Sequence, residues 1–444
     1  MSRRTIVTLS SFTLFLTLNF SSSFAQTIDT FFQQKLNLKK RGDWEPALKI
    51  WEDTYRSREN VDPRIGFAFI ELVSEKNAES YYEEACDLYF WALSDAGWQA
   101  HPQAILQEAE RVLPLLPGDD ARRWRELIEK KGKAIVTEIA QFWLEKDPTP
   151  STPLNERLIQ HWQRIAYARK NFVKSIKAPY QTDDRGVIYV KYGQPDRSKS
   201  LYLGTDLTEL MRWSELTFEV YTPQPSSFSR LKSKMEKFMH RPECEIWLYT
   251  NLNETENVLF IFGNEEGSGS FRLVDGIDDL IPKRSFSRHS AQDIGLPAGT
   301  LLQTMYYGQL AAFDSFFESR YRELEGAWMQ AEAQFVKSGT KEHMSSGFYT
   351  TTRPIQIRYE KMNKDNPARR YAPPEQSALS DLGNSIRLSS AKVRLLDDRN
   401  QPQVSFVAFA VPEGIGKATA ESASKSYDLA YTLILRDSTM GELA

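Results

Sequence analysis

The sequence contains little cysteine and little histidine, and neither sign of charge is in clear excess. Its 444 residues include only two cysteines, Cys86 and Cys244, which excludes a disulfide-rich scaffold. The two could pair in an oxidising compartment, but two separate buried thiols are the favoured interpretation. The 56 basic residues are matched by 59 acidic residues, and this balance argues against a general nucleic-acid-binding protein.

Sequence motifs of common enzymes are also missing. None of the five histidines lies in an HExxH motif or another short metal-ligand pair. The nearest ligand cluster is His240 with Glu243 and Cys244, for which an ordinary loop is the favoured interpretation. No G-x-S-x-G is present, and the glycine-rich segment 263–269 has two acidic residues instead of a P-loop lysine. The sequence predicts no catalytic residue, metal or cofactor, and leaves open a carboxylate pair that only the fold brings together.

One apolar run approaches membrane length, and it is N-terminal. Arg3 and Arg4 precede the apolar stretch 5–20, and small residues follow as far as Ala25. Threonine, serine and asparagine dilute the run, so a membrane anchor is the weaker alternative. Residues 1–25 are predicted to be a signal peptide that is cleaved near Ala25. The mature protein is then periplasmic or secreted and has no membrane span.

The next region, residues 26–146, is predicted to be a helical-repeat domain. Ala47 and Ala85 occupy equivalent places in two similar apolar patterns and lie 38 residues apart. This period is close to the roughly 34 residues of a tetratricopeptide repeat, abbreviated TPR. A TPR-like repeat is favoured over an unrelated helical bundle.

A proline-rich segment, 147–153, ends the helical pattern and opens a central α+β domain that is predicted to extend to residue 345. Strands are expected at 187–192, 245–249, 258–262 and 270–274, the last three as an antiparallel meander.

A long helix is expected at 301–337, where apolar residues recur at seven-residue steps, with Asp314 among them. This helix is predicted to pack within its own chain and to bury Trp328, so a monomer is slightly favoured.

The last region, 346–444, is predicted to be β-rich and sandwich-like. Strand patterns occur at 355–359, 392–396, 404–411 and 429–436. Because the sequence stops directly after a strand and its turn, we expect this sandwich to be incomplete and the natural product to continue. The predicted fold is therefore a multidomain chain of α, α+β and β regions in that order.

Several segments between residues 140 and 275 resemble one known family. They are Phe142-Trp143, 147–150, 155–156, 245–249, 271–274 and, above all, 182–196, whose sequence is TDDRGVIYVKYGQPD. The chain resembles the GWxTD-domain proteins, an exported bacterial family with no established activity. Pro179 and Tyr180 stand where the family has glycine and tryptophan. The resemblance implies an envelope or secreted location and no particular chemistry.

Four residues of this segment are candidate site residues: Thr182, Asp183, Arg185 and Asp196. A capped hairpin is the favoured interpretation, because turns commonly use these residue types. Arg185 and Asp196 are expected near opposite ends of a strand pair, where they could form an ion pair. The alternative is a small polar binding site at the turn.

Two functions follow from these patterns. The favoured one is an exported, non-catalytic interaction or scaffold protein of the cell envelope that binds protein partners. This interpretation rests on the modular architecture. The alternative is a hydrolase of envelope glycans or peptides, with its site in the central domain.

Overall fold

The computed structural model describes most of residues 44–338 and part of the C-terminal region. The main described ranges are 44–57, 62–150, 152–175, 179–206, 241–250, 257–264, 269–287, 298–338, 386–396 and 402–412. The chain divides into two compact units, residues 1–167 with 377–444, and residues 168–376. The described part is mostly helical and contains a small four-stranded antiparallel sheet.

Seven α-helices follow one another in the described residues between 44 and 145, which confirms the helical prediction for this region. They are α1 Trp44–Ser57, α2 Pro63–Lys76, α3 Tyr82–Ala92, α4 Asp95–Ala100, α5 Pro102–Val112, α6 Gly118–Glu129 and α7 Ile135–Glu145. Local signals set their ends. Asp62 caps α2, whose first residue is Pro63, and Asn77 ends it at a φ of 52°.

Aromatic residues fill the core of this helical unit. Trp51, Trp124, Trp143 and Trp162 are among its fully buried side chains. Helices α2 and α3 approach closely at Gly66, where an added Cβ would lie 2.8 Å from Ala92 Cβ. Tryptophan in this unit therefore serves packing, because such large apolar side chains stabilise the interior when they are buried.

A longer helix, α8 Glu156–Asn171, follows the proline-rich segment. It is followed by α9 Asp184–Tyr192, and so the strand predicted at 187–192 is wrong. The alternating apolar residues there resemble a strand, but capping favours a helix. The Asp183 side chain accepts the Arg185 backbone N–H at the start of α9, and Gly193 ends it at a φ of 78°.

The predicted antiparallel meander is confirmed and has one further strand. Its strands are β1 Arg197–Tyr202, β2 Glu243–Tyr249, β3 Val258–Asn264 and β4 Arg272–Val274, in that spatial order. Each strand pairs antiparallel with the next, and every residue of β3 is buried. Such an interior strand needs packing on both faces.

Helices cover both faces of β2 and β3. Ile188 and Tyr192 of α9 pack against Trp247, Phe260 and Phe262 on one face. Ile246, Leu248 and Ile261 of the other face lie in a second core with helices α10 Ala298–Leu310 and α11 Ser315–Ser338. Alternate residues of β2 and of β3 therefore belong to different cores, as the period of a strand requires.

The single long helix predicted at 301–337 is wrong, because α10 and α11 are separate helices. Asp314 does not occupy a helical seam position; its side chain accepts the Phe316 N–H at 2.9 Å at the start of α11. Phe317 and Leu324 of α11 pack in the core with Leu310, which confirms that this segment packs on its own chain. The Trp328 side chain lies outside the described residues.

Two strands are described in the C-terminal region, β5 Ile386–Leu396 and β6 Pro402–Pro412. They pair antiparallel from Ile386 opposite Pro412 to Leu396 opposite Pro402. The strands predicted at 392–396 and 404–411 are thus confirmed.

The other two predicted C-terminal strands, 355–359 and 429–436, lie outside the described residues. So does the predicted signal peptide at 1–25. In the part of the chain that the structure describes, no helix combines the length and the apolar character needed to cross a membrane.

Candidate functional site

The N-terminus of α9 holds three of the four candidate site residues. Asp183 is 3% exposed, and one of its carboxylate oxygens accepts the Arg185 backbone N–H at 3.2 Å. Its other oxygen accepts the Phe271 N–H at 3.2 Å. A residue of the predicted turn thus caps a helix and binds the chain next to β4.

Arg185 connects this cap to the sheet. Its guanidinium donates to Asp183 Oδ2 at 2.8 Å and to Glu245 Oε2 at 2.8 Å. The second Glu245 oxygen accepts the Trp247 indole N–H at 2.6 Å. We call these four residues together with Phe271 the Arg185 cluster. Its charged groups have charge-assisted bonds within the domain, and such bonds are among the stronger hydrogen bonds of proteins.

Aromatic rings complete the surroundings of the guanidinium. The centre of the Arg185 guanidinium lies 3.9 Å from the Phe271 ring centroid and 5.3 Å from that of Phe172. Burial acts to lower the pKa of Arg185, but the hydrogen bonds and charges of Asp183 and Glu245 together raise it. Arg185 therefore stays a cation at any physiological pH.

The other two candidate residues have separate roles. Thr182 is fully buried beneath Gly186, and its hydroxyl donates to the Asp183 carbonyl at 3.2 Å. Asp196 accepts both the backbone N–H of Thr250, at 2.7 Å, and its hydroxyl, at 2.8 Å. The expected Arg185–Asp196 ion pair is therefore wrong, since Arg185 pairs with Asp183 and Glu245.

The geometry of this region joins α9 to the sheet. Asp184 also accepts a backbone N–H, that of Leu273 in β4, at 2.7 Å. Residues 183–185 thus bond with the neighbourhood of β4 through Asp183 and Asp184, and with β2 through Arg185. These contacts explain why polar residues lie at the buried start of α9, because a buried polar group without a hydrogen bond lowers the stability of the fold. Sequence reasoning missed Glu245 and Phe271, which lie far away along the chain.

A second buried polar cluster lies in the helical unit and was also missed. Glu108 of α5 is fully buried and accepts the Tyr89 hydroxyl at 2.7 Å and an Arg111 N–H at 2.6 Å. The Trp143 indole N–H donates to the Tyr89 oxygen at 2.9 Å. Burial, followed by the charge of Glu108, raises the pKa of Tyr89 well above its usual range. This network joins α3, α5 and α7.

Both cysteines are buried free thiols, so the alternative of a disulfide is wrong. The Asn155 backbone N–H donates to Cys86 Sγ at 3.4 Å, while the Asn155 side chain caps α8 by accepting the Leu158 N–H at 2.8 Å. Burial raises the pKa of Cys86 to about 12 and that of Cys244 to about 12. Neither is an activated nucleophile, which needs a depressed pKa.

No group of three or more metal-ligating side chains occurs within the described residues. His240 of the sequence-predicted ligand cluster lies outside them, and Cys244 points into the core that contains α10.

Comparisons with known proteins found no relative. No family model, no curated protein and no solved structure matches the chain.

Proposed function

We propose that this chain is an exported, non-catalytic interaction or scaffold protein of the cell envelope, similar to the GWxTD-domain proteins. The observation that carries the proposal is that the charged groups of the Arg185 cluster form hydrogen bonds and ion pairs with one another. Asp183 and Arg185 form ion pairs and caps inside their own domain. A catalytic acid or base must instead reach a substrate proton.

The helical unit supports a role in binding partners. Ala47 and Ala85 are both fully buried, at equivalent places in α1 and α3, 38 residues apart. This agrees with a TPR-like array, a type of fold that presents an extended binding surface. We propose a protein of the envelope as the partner, a monomeric state, and a sandwich-like C-terminal region that includes β5 and β6.

A second candidate, hydrolysis of envelope glycans or peptides, is favoured by one observation. Glu243 and Glu245 are two residues apart on β2 and so share one face of the sheet. Glycoside hydrolysis uses such a pair of carboxyl groups, one as the acid and one as the base or nucleophile. Glu245 is already bonded to Arg185 and Trp247, which makes this the weaker proposal.

A turnover assay separates the two candidates. The purified full chain is incubated with a set of chromogenic glycosides and fluorogenic peptides, and product is measured against heat-denatured protein. The scaffold proposal expects no multiple turnover. Turnover that disappears in both Glu243→Gln and Glu245→Gln variants would establish the hydrolase instead.

Export has its own test. Mass spectrometry of the protein from its native host should find an N-terminus at or near Gln26, since the Arg3-Arg4 and Phe24-Ala25 pattern is typical of a cleaved signal. An intact Met1 in the membrane fraction would contradict export.

A further inference from the structure

The first strand, β1, is an edge strand of the described sheet, and no described strand pairs with its outer side. It has six consecutive residues in register with β2, from Arg197 opposite Leu248 to Tyr202 opposite Glu243, with no bulge. It contains no proline, and its two charged residues, Arg197 and Lys199, lie on the other face of the strand from Ser198, Ser200 and Tyr202. Natural sheet edges are commonly shielded by bulges, prolines or charges, because an open edge can pair with another chain.

The hydrogen-bond pattern places three peptide units of β1 on the open side. The Leu203 N–H donates to the Pro242 carbonyl at 3.0 Å and so continues the ladder by one residue. Bonded and non-bonded pairs alternate along an antiparallel ladder. The N–H and C=O groups of Ser198, Ser200 and Tyr202 therefore point away from β2.

The side chains of the same three residues lie on one accessible face. All three are exposed, and Tyr202 is 59% exposed. The register places Tyr202 beside Glu243 and Ser200 beside Glu245 on this face. Within the described part of the chain, no hydrogen bond or ion pair holds the Glu243 carboxylate.

We propose that β1 binds an extended basic segment of a partner protein as a fifth strand, with its lysine or arginine side chains facing Glu243 and Glu245. This inference rests on the proposed function and specifies the partner. Added strands bind through main-chain hydrogen bonds, and alternate side chains give specificity. Since β1 lies between the added strand and β2, a lysine must extend over two strand spacings of roughly 4.8 Å each, and its long stem can pass over the small Ser200 side chain towards Glu245. The Tyr202 ring, beside Glu243, adds a surface for a cation.

A second copy of this chain fits the edge less well. Antiparallel pairing of two β1 strands about their middle would bring the Lys199 side chains of both copies close together on the opposite face. Like charges on neighbouring strands are destabilising. A basic partner segment meets carboxylates instead.

The test uses fluorescence anisotropy of the full chain with a labelled octapeptide of alternating lysine and threonine. We expect binding that weakens with added salt, and no binding of the glutamate–threonine octapeptide. Glu243→Gln should weaken binding about two- to fivefold, the range of an exposed charge pair. Glu318→Gln, on α11 at the opposite face, is the matched control and should change nothing.

Two methylated peptides test strand addition itself. The lysine amides would point at β1 and the threonine amides away from it. Methylation of the lysine amides should therefore abolish binding, and methylation of the threonine amides should preserve it. Equal binding of both methylated peptides, equal binding of the acidic peptide, or no binding at all would overturn the inference. A dimer in sedimentation that Ser200→Pro dissociates would identify a second copy as the occupant and would equally overturn it.

These outcomes are independent of the proposed function. Failure of the peptide to bind would remove the β1 site only, whereas catalytic turnover would remove the scaffold proposal.

Discussion

Replacing Gly186 by alanine tests the packing beneath α9. A Cβ at this position would lie 2.6 Å from Thr182 Cβ and closer still to its hydroxyl. Thr182 is fully buried and β-branched, so it has little freedom to move. Overpacking costs about 1–3 kcal/mol, and alanine recovers about 0.5–1 kcal/mol over glycine inside a helix. We expect Gly186→Ala to lower the free energy of unfolding by about 1 kcal/mol, the difference between the middle values of these two effects.

Gly326 provides a matched control in α11 of the same unit. Among the residues that the structure describes, a Cβ there would meet no atom within 4 Å. Gly326→Ala should therefore raise stability by about 0.5–1 kcal/mol, because only the backbone effect remains. Urea denaturation followed by circular dichroism would measure both variants in one buffer. A Gly186→Ala variant at least as stable as the wild type would refute the packing of Thr182 under α9.

Two further predictions concern the acidic face of α3 and the cysteines. Burial raises the pKa of Asp87, and the charges of Glu84 and Glu83 raise it further. Because Asn carries no charge, Asp87→Asn should raise the free energy of unfolding by about 0.2–0.5 kcal/mol at neutral pH. The gain should vanish as the pH falls through that raised pKa, because the wild-type carboxyl is then also neutral; thermal melts at both pH values check this, and a gain that grows in acid would contradict it. Cys86 and Cys244 should react slowly with a thiol reagent in the native protein, and both should react after unfolding without reductant. Unreactive cysteines in the unfolded chain would mean that a disulfide had formed.

Periodicity predicted the large elements and failed where capping competed with it. The helical region and strands β2 to β4 follow from apolar spacing, which reports burial directly. Residues 187–192 alternate like a strand, yet Asp183 and Gly193 supply the start and end of a helix. Asp314 is likewise a typical residue for the start of a helix. The seven-residue spacing instead placed Asp314 inside a helix, and so the sequence predicted one helix where there are two.

The candidate site was only partly accessible to sequence reasoning. Asp183 and Arg185 are neighbours, and their residue types suggested a capped turn. Their partners lie far along the chain, Glu245 on β2 and Phe271 just before β4, and nothing local indicates those contacts. Glu108 differs, since an acidic residue among the apolar positions of α5 is itself a sign of a buried polar network.

The central claim is that the polar residues at the start of α9 hold the domain together rather than perform chemistry. The most direct test is the free energy of unfolding of Asp183→Ala. Loss of the cap lowers the free energy of unfolding by about 1 kcal/mol. The buried Phe271 N–H, which loses its acceptor, lowers it by about a further 1–3 kcal/mol. We therefore predict a loss of about 2–4 kcal/mol. A variant that unfolds at the same urea concentration as the wild type would contradict the account.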